Sequence, residues 1–276
     1  MMNFEELKKI AHDTRTEVLE MCIKAGTGHV TSSMSSVEVL ISLYFGGLVN
    51  VKPEEPKWAG RDRVIISKGQ CSPLIYSVLS RKGFFPKDWL NGFAQKGGHF
   101  GVHLQNSVPG VELTTGALGH GLGVATGVAL AAKMNRDLHM VYCLLGDGEL
   151  YEGSIWESAM FAAHNQLNNL VVIVDRNFLA TTDFTENMMA LEPLDKKFEA
   201  FGFNAITVDG HNIESLINSM AGLRNRKSRK PTVIIAETTK GAGIPSLSHN
   251  PVMHGVPPKG TQEINQARKD LAKGSI

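Results

Sequence analysis

Apolar residues recur along this chain in two rhythms, and the switching between them predicts the architecture. In residues 3–25, Phe4, Leu7, Ile10, Ala11, Val18, Met21 and Cys22 fall at helical intervals behind an acidic start, which predicts an amphipathic helix ending near Gly26. Residues 32–49, SSMSSVEVLISLYFGGLV, predict a serine-capped helix stopped by Gly46 and Gly47. RVIIS at 63–67 is a short β-branched run leading into a turn and a helix, and residues 97–110, rich in glycine and histidine, form an irregular connection of the kind that often carries function. Small residues dominate the helical pattern of 118–134, as suits a helix lying close against a sheet. The apolar runs at 140–145, 170–174, 205–208 and 232–236 read as strands separated by helix-length segments. Nearly continuous apolar strands alternating with helices predict an α/β fold, a doubly wound, mostly parallel sheet with helices on both faces. No repeat or linker divides residues 1–245, and 246–276 reads as a loop and terminal extension of the same domain.

Composition narrows the function without naming it. A chain of 276 residues, 42% hydrophobic and with net charge +1, is a globular protein with no electrostatic bias toward nucleic acid or an anionic membrane. The one basic run, RNRKSRK at 224–230, reads as a solvated loop before the last strand. Cys22, Cys71 and Cys143 have no CxxC spacing, which argues against zinc and disulfides and for a reducing compartment. With neither a signal-like apolar core near the N-terminus nor an apolar run approaching ~18 residues, a cytoplasmic location is expected.

Two of the expected strands end in oxygen-bearing residues. One breaks into Gly146-Asp147-Gly148; the other breaks into Asp175-Arg176-Asn177, with Asn177 30 positions after Asp147. On neighbouring parallel strands, Asp147 and Asn177 converge at the carboxyl edge, where open sheets bind ligands. Asp147 with the amide oxygen of Asn177 and the carbonyl of Leu179 makes a hard-cation donor set that suits Mg²⁺, Ca²⁺ or Mn²⁺. With one carboxylate it needs phosphate oxygens to hold such an ion tightly. Gly146 allows a sharp exit from the strand, Gly148 lets backbone approach an anion, and a helix from about Ser154 can turn its N-terminal N–H groups toward it. A lone Gly-Asp-Gly is ordinarily a turn; the spacing to Asn177 carries the reading.

The stretch GDGELYEGSIWESAMFAAHNQLNNLVVIVDRN resembles the thiamine-diphosphate motif of transketolases. AGTGHVTSSMSSVEVLISLYF is similar to that family's N-terminal Gly-His stretch, RVIISKGQCSPLIYSVL to its strand and Lys/Asn-Gly-His turn, PGVELTTGALGHGLG to its cofactor loop, and TTKGAG with HNPVMHG to its final His-Gly element. The matches run in family order across residues 15–258 and cover only the N-terminal, diphosphate-binding half. The resemblance therefore implies the diphosphate-binding (PP-type) fold and one half of a split, two-component transketolase. It also implies thiamine diphosphate with Mg²⁺ (or Ca²⁺ or Mn²⁺), a separate pyrimidine-binding C-terminal subunit in a heterotetramer of two copies of each, and sugar or sugar-phosphate substrates. The partner-facing surface is expected at residues 110–123 and 154–163.

Position by position, the resemblance implies Asp147, Asn177 and the Leu179 carbonyl as metal ligands. Gly148, Asn177, Gln70 and His254 fall at the diphosphate, and Gly116 and Leu118 against the aminopyrimidine. His29, His103 and His254 match histidines of the substrate channel, where imidazole, with a pKa near ~6.5, moves protons on and off ketose oxygens. Glu152 matches a carboxylate at the junction between halves; read without the resemblance, it caps the following helix. His99, His120, His164, His211 and His249 receive no role, and Asp175 and Asp183 read as structural or solvated. One departure stands out: the family's turn ends in histidine, and this chain has Gln70, which can donate and accept hydrogen bonds but cannot shuttle a proton. That points to a specialised donor or acceptor. Two other classes share parts of the pattern, a cofactor-binding subunit of a 2-oxo acid dehydrogenase or decarboxylase and a non-catalytic regulatory homologue.

Overall fold

The computed structural model describes residues 2–274. Its centre is a five-stranded, wholly parallel sheet of β1 (Arg63–Ile66), β2 (Val141–Gly146), β3 (Leu170–Arg176), β4 (Asn204–Asp209) and β5 (Thr232–Glu237), in the order β1-β2-β3-β5-β4. Register places Gly146 beside Asp175 and Arg176 beside Glu237, so β2, β3 and β5 end level with one another.

Side chains alternate between two cores because successive residues of a strand face opposite ways. Val171 and Ile173 of β3 join a core that includes residues of α1 (Phe4–Ala25), α2 (Val30–Met34), α3 (Val37–Phe45) and α4 (Ser72–Lys82). Val172 and Val174 face the other core, built with α5 (Gly121–Asn135) and α6 (Gly153–His164). The chain then forms α7 (Thr185–Met188), α8 (Leu194–Ala200), α9 (Ile213–Met220) and α10 (Gly260–Ala272), of which α8 joins the second core and α9 and α10 the first. The doubly wound expectation holds, strand for strand.

Local rules explain the ends of the longest helix. Asn3 and Glu6 form a reciprocal capping box on α1, and Gly26 closes it at φ 68°, a conformation that only glycine adopts without cost. Its buried face includes Arg15, whose guanidinium pairs with Glu38 of α3 at 2.5 Å.

Two expectations are corrected. The serine-capped helix of 32–49 is two helices, α2 and α3, and no serine side chain caps either; Ser35 and Ser36 turn inward and donate to the buried Asp175 carboxylate at 2.7 and 3.0 Å. A buried charge outcompetes an exposed helix end for hydroxyl donors. The helix expected from about Ser154 is where the sequence put it: α6 starts at Gly153, after a 3-10 turn at Asp147–Tyr151. The basic run is only partly solvated: Arg224 pairs with buried Asp62 at 2.5 Å and Arg226 donates to the Asn168 carbonyl, while Lys227, Arg229 and Lys230 are exposed. In the C-terminal extension, α10 places Ala267 and Leu271 in the first core and clamps Arg268 onto Glu20 of α1.

Candidate active site

Each parallel strand but β4 delivers one or more polar groups to the carboxyl edge of the sheet: Lys68 just after β1, Asp147 after β2, Asp175 to Asn177 at the end of β3, and Thr238 and Lys240 after β5. Of these, Lys68, Asp147, Asn177 and Lys240 border one cavity, lined also by Ser32, Gln70, Leu118, Gly146, Gly148, Glu149, Leu179 and His254 among others. Most of the residues singled out in the sequence therefore come together. His29 and His103 stand beside them, with the His29 ring 5.5 Å from each of the His103 and His254 rings. Gly116 accepts the Gln70 amide at 3.4 Å through its carbonyl, and a Cβ there would lie 3.1 Å from the His103 ring, so glycine is what lets loop and histidine meet. Glu152 lies outside the cavity lining. It is exposed at the N-terminal end of α6 without a capping hydrogen bond, which removes the capping explanation.

Asp147 is 1% exposed. Its Oδ2 accepts from the Phe178 N–H at 2.6 Å and Arg176 at 3.1 Å, and its Oδ1 accepts from the Gly148 N–H at 2.8 Å. Burial, with the Asp175 charge adding, pushes its pKa above the ordinary carboxylate value against the pull of Arg176. The Asn177 oxygen takes the Leu179 N–H at 3.2 Å, and the Leu179 carbonyl takes Lys240 Nζ at 2.9 Å. Each of these oxygens keeps a second lone pair.

Several groups in the site were not singled out in the sequence. Lys68 is buried and donates to the Ser32 carbonyl and Ser36 Oγ, both at 3.0 Å, and to Asp175. Burial alone would raise the Asp175 pKa, but Lys68 and the surrounding hydroxyls hold it below the usual range. Glu149, also buried, accepts from Ser67 and from the Gly119 N–H at 2.8 Å, tying the 116–119 loop to the turn after β2. Lys240 contacts the Leu179 and Ala180 carbonyls and His254 Nδ1 at 3.0 Å, and burial followed by the Lys68 charge lowers its pKa to about 8. The available signal was positional: Lys68 and Lys240 each precede a glycine just beyond a strand end.

Burial, followed by neighbouring positive groups, lowers His29 and His254 to about 4, so both rings are neutral at physiological pH. An ammonium can only donate, so His254 Nδ1 accepts from Lys240 and the ring proton sits on Nε2. His29 Nδ1 and Gln70 Oε1 are buried without a hydrogen-bond partner among the described residues.

Those orphaned atoms test the fit of a bound cofactor. A buried polar atom without a partner costs free energy, and the one on cavity-lining Gln70, with the one on His29 beside His254, marks where a ligand's polar groups belong. At Gly148 the nearest atom to a built Cβ is Ala180 Cβ at 3.5 Å, so packing within the chain leaves room for a side chain that the sequence omits. Lys240 bonds no carboxylate among the described residues, leaving its charge for an anion. One carboxylate, an amide oxygen and a carbonyl suit a hard cation bridging to phosphate. The residues fit a metal diphosphate.

A parallel sheet with such a site at its carboxyl edge defines a diphosphate-binding α/β domain. Residues 7–274 match the family described as transketolase, thiamine diphosphate binding domain, and the chain belongs to that family. It is 39% identical over 272 residues to an apulose-4-phosphate transketolase subunit of Actinobacillus succinogenes, covering 98% of this chain and 97% of the relative. It is 38% identical over 239 residues to a 6-deoxy-6-sulfo-D-fructose transketolase subunit of a Clostridium species, covering 86% of each. Human transketolase is 36% identical over 261 residues, which are 94% of this chain but 41% of that one. The crystal structure of Campylobacter jejuni transketolase superposes with a TM-score of 0.90 at 32% identity, covering 98% of this chain and 43% of that one. The chain thus spans about two fifths of the solved transketolases.

Proposed function

We propose that this chain is the diphosphate-binding subunit of a two-component transketolase, transferring a two-carbon ketol unit from a ketose to an aldose together with a pyrimidine-binding subunit. One observation carries the reading: the chain matches relatives named as transketolase subunits almost end to end, yet only two fifths of single-chain transketolases. Those names favour ketol transfer over 2-oxo acid chemistry. We place two copies of each subunit in a heterotetramer, with the apolar residues Val124, Met160 and Phe161, exposed on α5 and α6, toward a neighbouring subunit. Three buried, free cysteines agree with a cytoplasmic setting, and no helix among the described residues is long and apolar enough to cross a membrane.

Bound thiamine diphosphate supplies the carbon nucleophile for ketol transfer. In this reading Asp147, Asn177 and the Leu179 carbonyl hold Mg²⁺, with Ca²⁺ or Mn²⁺ as substitutes. Lys240, Gln70, His254 and the Gly148 backbone meet the diphosphate, and Gly116 and Leu118 support the aminopyrimidine. The rings of His29, His103 and His254 orient ketose oxygens and move protons at them, His254 donating from Nε2. Glu152, exposed beside the 116–119 loop, meets the partner. The test mixes the chain with the product of its neighbouring reading frame, thiamine diphosphate and Mg²⁺. Ketol transfer from a ketose to an aldose should arise only in the mixture, and robust turnover by this chain alone would overturn the split-enzyme reading.

The relatives' names specify unusual ketoses for those proteins, and Gln70 supports a specialised substrate here. Its unpartnered Oε1 accepts a hydrogen bond from a hydroxyl without exchanging a proton. Gln70→His is expected to reorder kcat/KM across a panel of ketose donors and aldose acceptors by roughly tenfold or more, the worth of one buried hydrogen bond of about 1.4 kcal/mol. An unchanged ranking would exclude Gln70 as a determinant of specificity.

A further inference from the structure

Arg176 is wholly buried, and its guanidinium makes four hydrogen bonds and one further close ion-pair contact. Nη1 reaches Thr185 Oγ1 at 2.6 Å and Asp147 Oδ2 at 3.1 Å; Nη2 reaches Glu186 at 2.7 Å and Glu192 at 2.9 Å; Nε reaches Glu192 at 3.0 Å. The Phe178 ring lies 4.1 Å from the guanidinium carbon, and the left-handed turn at Phe178, φ 63°, brings its N–H onto the same Oδ2. Arginine beside a carboxylate normally forms a two-pronged pair that occupies both oxygens. Here only one prong is left for Asp147, and Oδ1 receives just the Gly148 N–H. One positive charge faces three carboxylates.

We propose that Glu186 and Glu192 are positioning residues: they hold the Arg176 guanidinium away from Asp147 Oδ1 and so keep that oxygen open to a divalent cation. Both sit in the segment after β3, with side chains 39% and 49% exposed, whereas Arg176 and Asp147 are closed off from water. Without their pull, the guanidinium swings onto both Asp147 oxygens and competes with the metal. The inference rests on the reading of Asp147 as a cation ligand.

The experiment uses the complex with the partner subunit, excess thiamine diphosphate, and Mn²⁺ as probe, following the free-Mn²⁺ electron paramagnetic resonance signal alongside turnover. Glu186→Gln with Glu192→Gln is expected to raise the Mn²⁺ concentration for half-saturation roughly tenfold, as outer-sphere changes at metal sites do, while turnover at saturating Mn²⁺ should stay within about twofold. Adding Arg176→Lys should bring half-saturation back toward wild type, because lysine keeps the charge but has no second prong. A half-saturation within about twofold of wild type in the double variant, or a rise that Arg176→Lys leaves in place, overturns the proposal, the latter as a plain charge effect. If thermal melting shows that the lysine variant does not fold, Glu186→Asp with Glu192→Asp decides. It keeps both charges but shortens their reach, so the proposal requires a rise and a charge effect requires none. Cofactor binding by the wild type that is indifferent to divalent cations would instead defeat the reading of Asp147, and this inference with it.

Discussion

Asp147→Asn is expected to lower ketol transfer by the assembled enzyme roughly a thousandfold, because removing the only carboxylate of the proposed cation site forfeits several kcal/mol of charge stabilisation. The substitution is isosteric, and the asparagine oxygen can still accept the Phe178 N–H that now meets Asp147 at 2.6 Å. Arg176 keeps Glu186 and Glu192 as partners, so no buried charge is stranded. Burial already disfavours the charged form of Asp147, which means that the fold does not depend on its ionisation. Catalysis should therefore collapse while the melting temperature moves by only a few degrees. Calorimetric titration with thiamine diphosphate and Mg²⁺ separates the two effects. Unaltered cofactor affinity and cation dependence in the variant would remove Asp147 from the site, whatever happened to turnover.

How far the sequence reveals such a site depends on how far its signals are local. The strands were legible because each is a short apolar run bounded by polar turns, and the convergence of Asp147 and Asn177 followed from placing β2 beside β3. The three histidines were legible through the flanking motifs of a family resemblance; an isolated histidine beside glycine carries no such signal. Lys68 was not legible because its meaning comes from Asp175, 107 residues away, and nothing near either residue announces the pair. The same pairing explains the misreading of Ser35 and Ser36. Serines before an apolar helical run are ordinarily caps, and only the position of a buried carboxylate across the sheet turns them inward. Glu149 was given no role in the sequence, and its grip on the 116–119 loop became visible only with the fold. Local pattern thus gave the elements and the edge on which ligands gather, while the charges that brace that edge emerge from strand order.

That bracing leads to the second large effect, one on stability. Lys68→Met is expected to cost about 3–5 kcal/mol of folding stability, because it leaves the Asp175 carboxylate in the interior without its cation. Asp175 is 0% exposed and gathers Lys68, Ser35, Ser36, Thr238 and the Asn177 amide, so a single buried anion links β3 to the α2–α3 junction and to the residues after β1 and β5. Adding Asp175→Asn should recover part of the loss, since a neutral amide no longer requires a counter-charge. The pH dependence follows from the direction of each shift. The pKa of Asp175 is depressed, so its contribution is present above the unfolded carboxylate pKa and lost as pH falls through the folded value. Lys68 would be lowered by burial, but the Asp175 charge raises it, so its contribution is complete below the unfolded lysine pKa and lost as pH rises through the folded value. Between about pH 5 and 9 the gap between wild type and Lys68→Met should therefore be nearly constant. In acid it should narrow, because the uncompensated carboxylate of the variant takes up a proton more readily than the paired one. Denaturant titrations of both proteins across that range measure the gap, and a value under about 1 kcal/mol at pH 7 would mean that the hydroxyls alone satisfy Asp175.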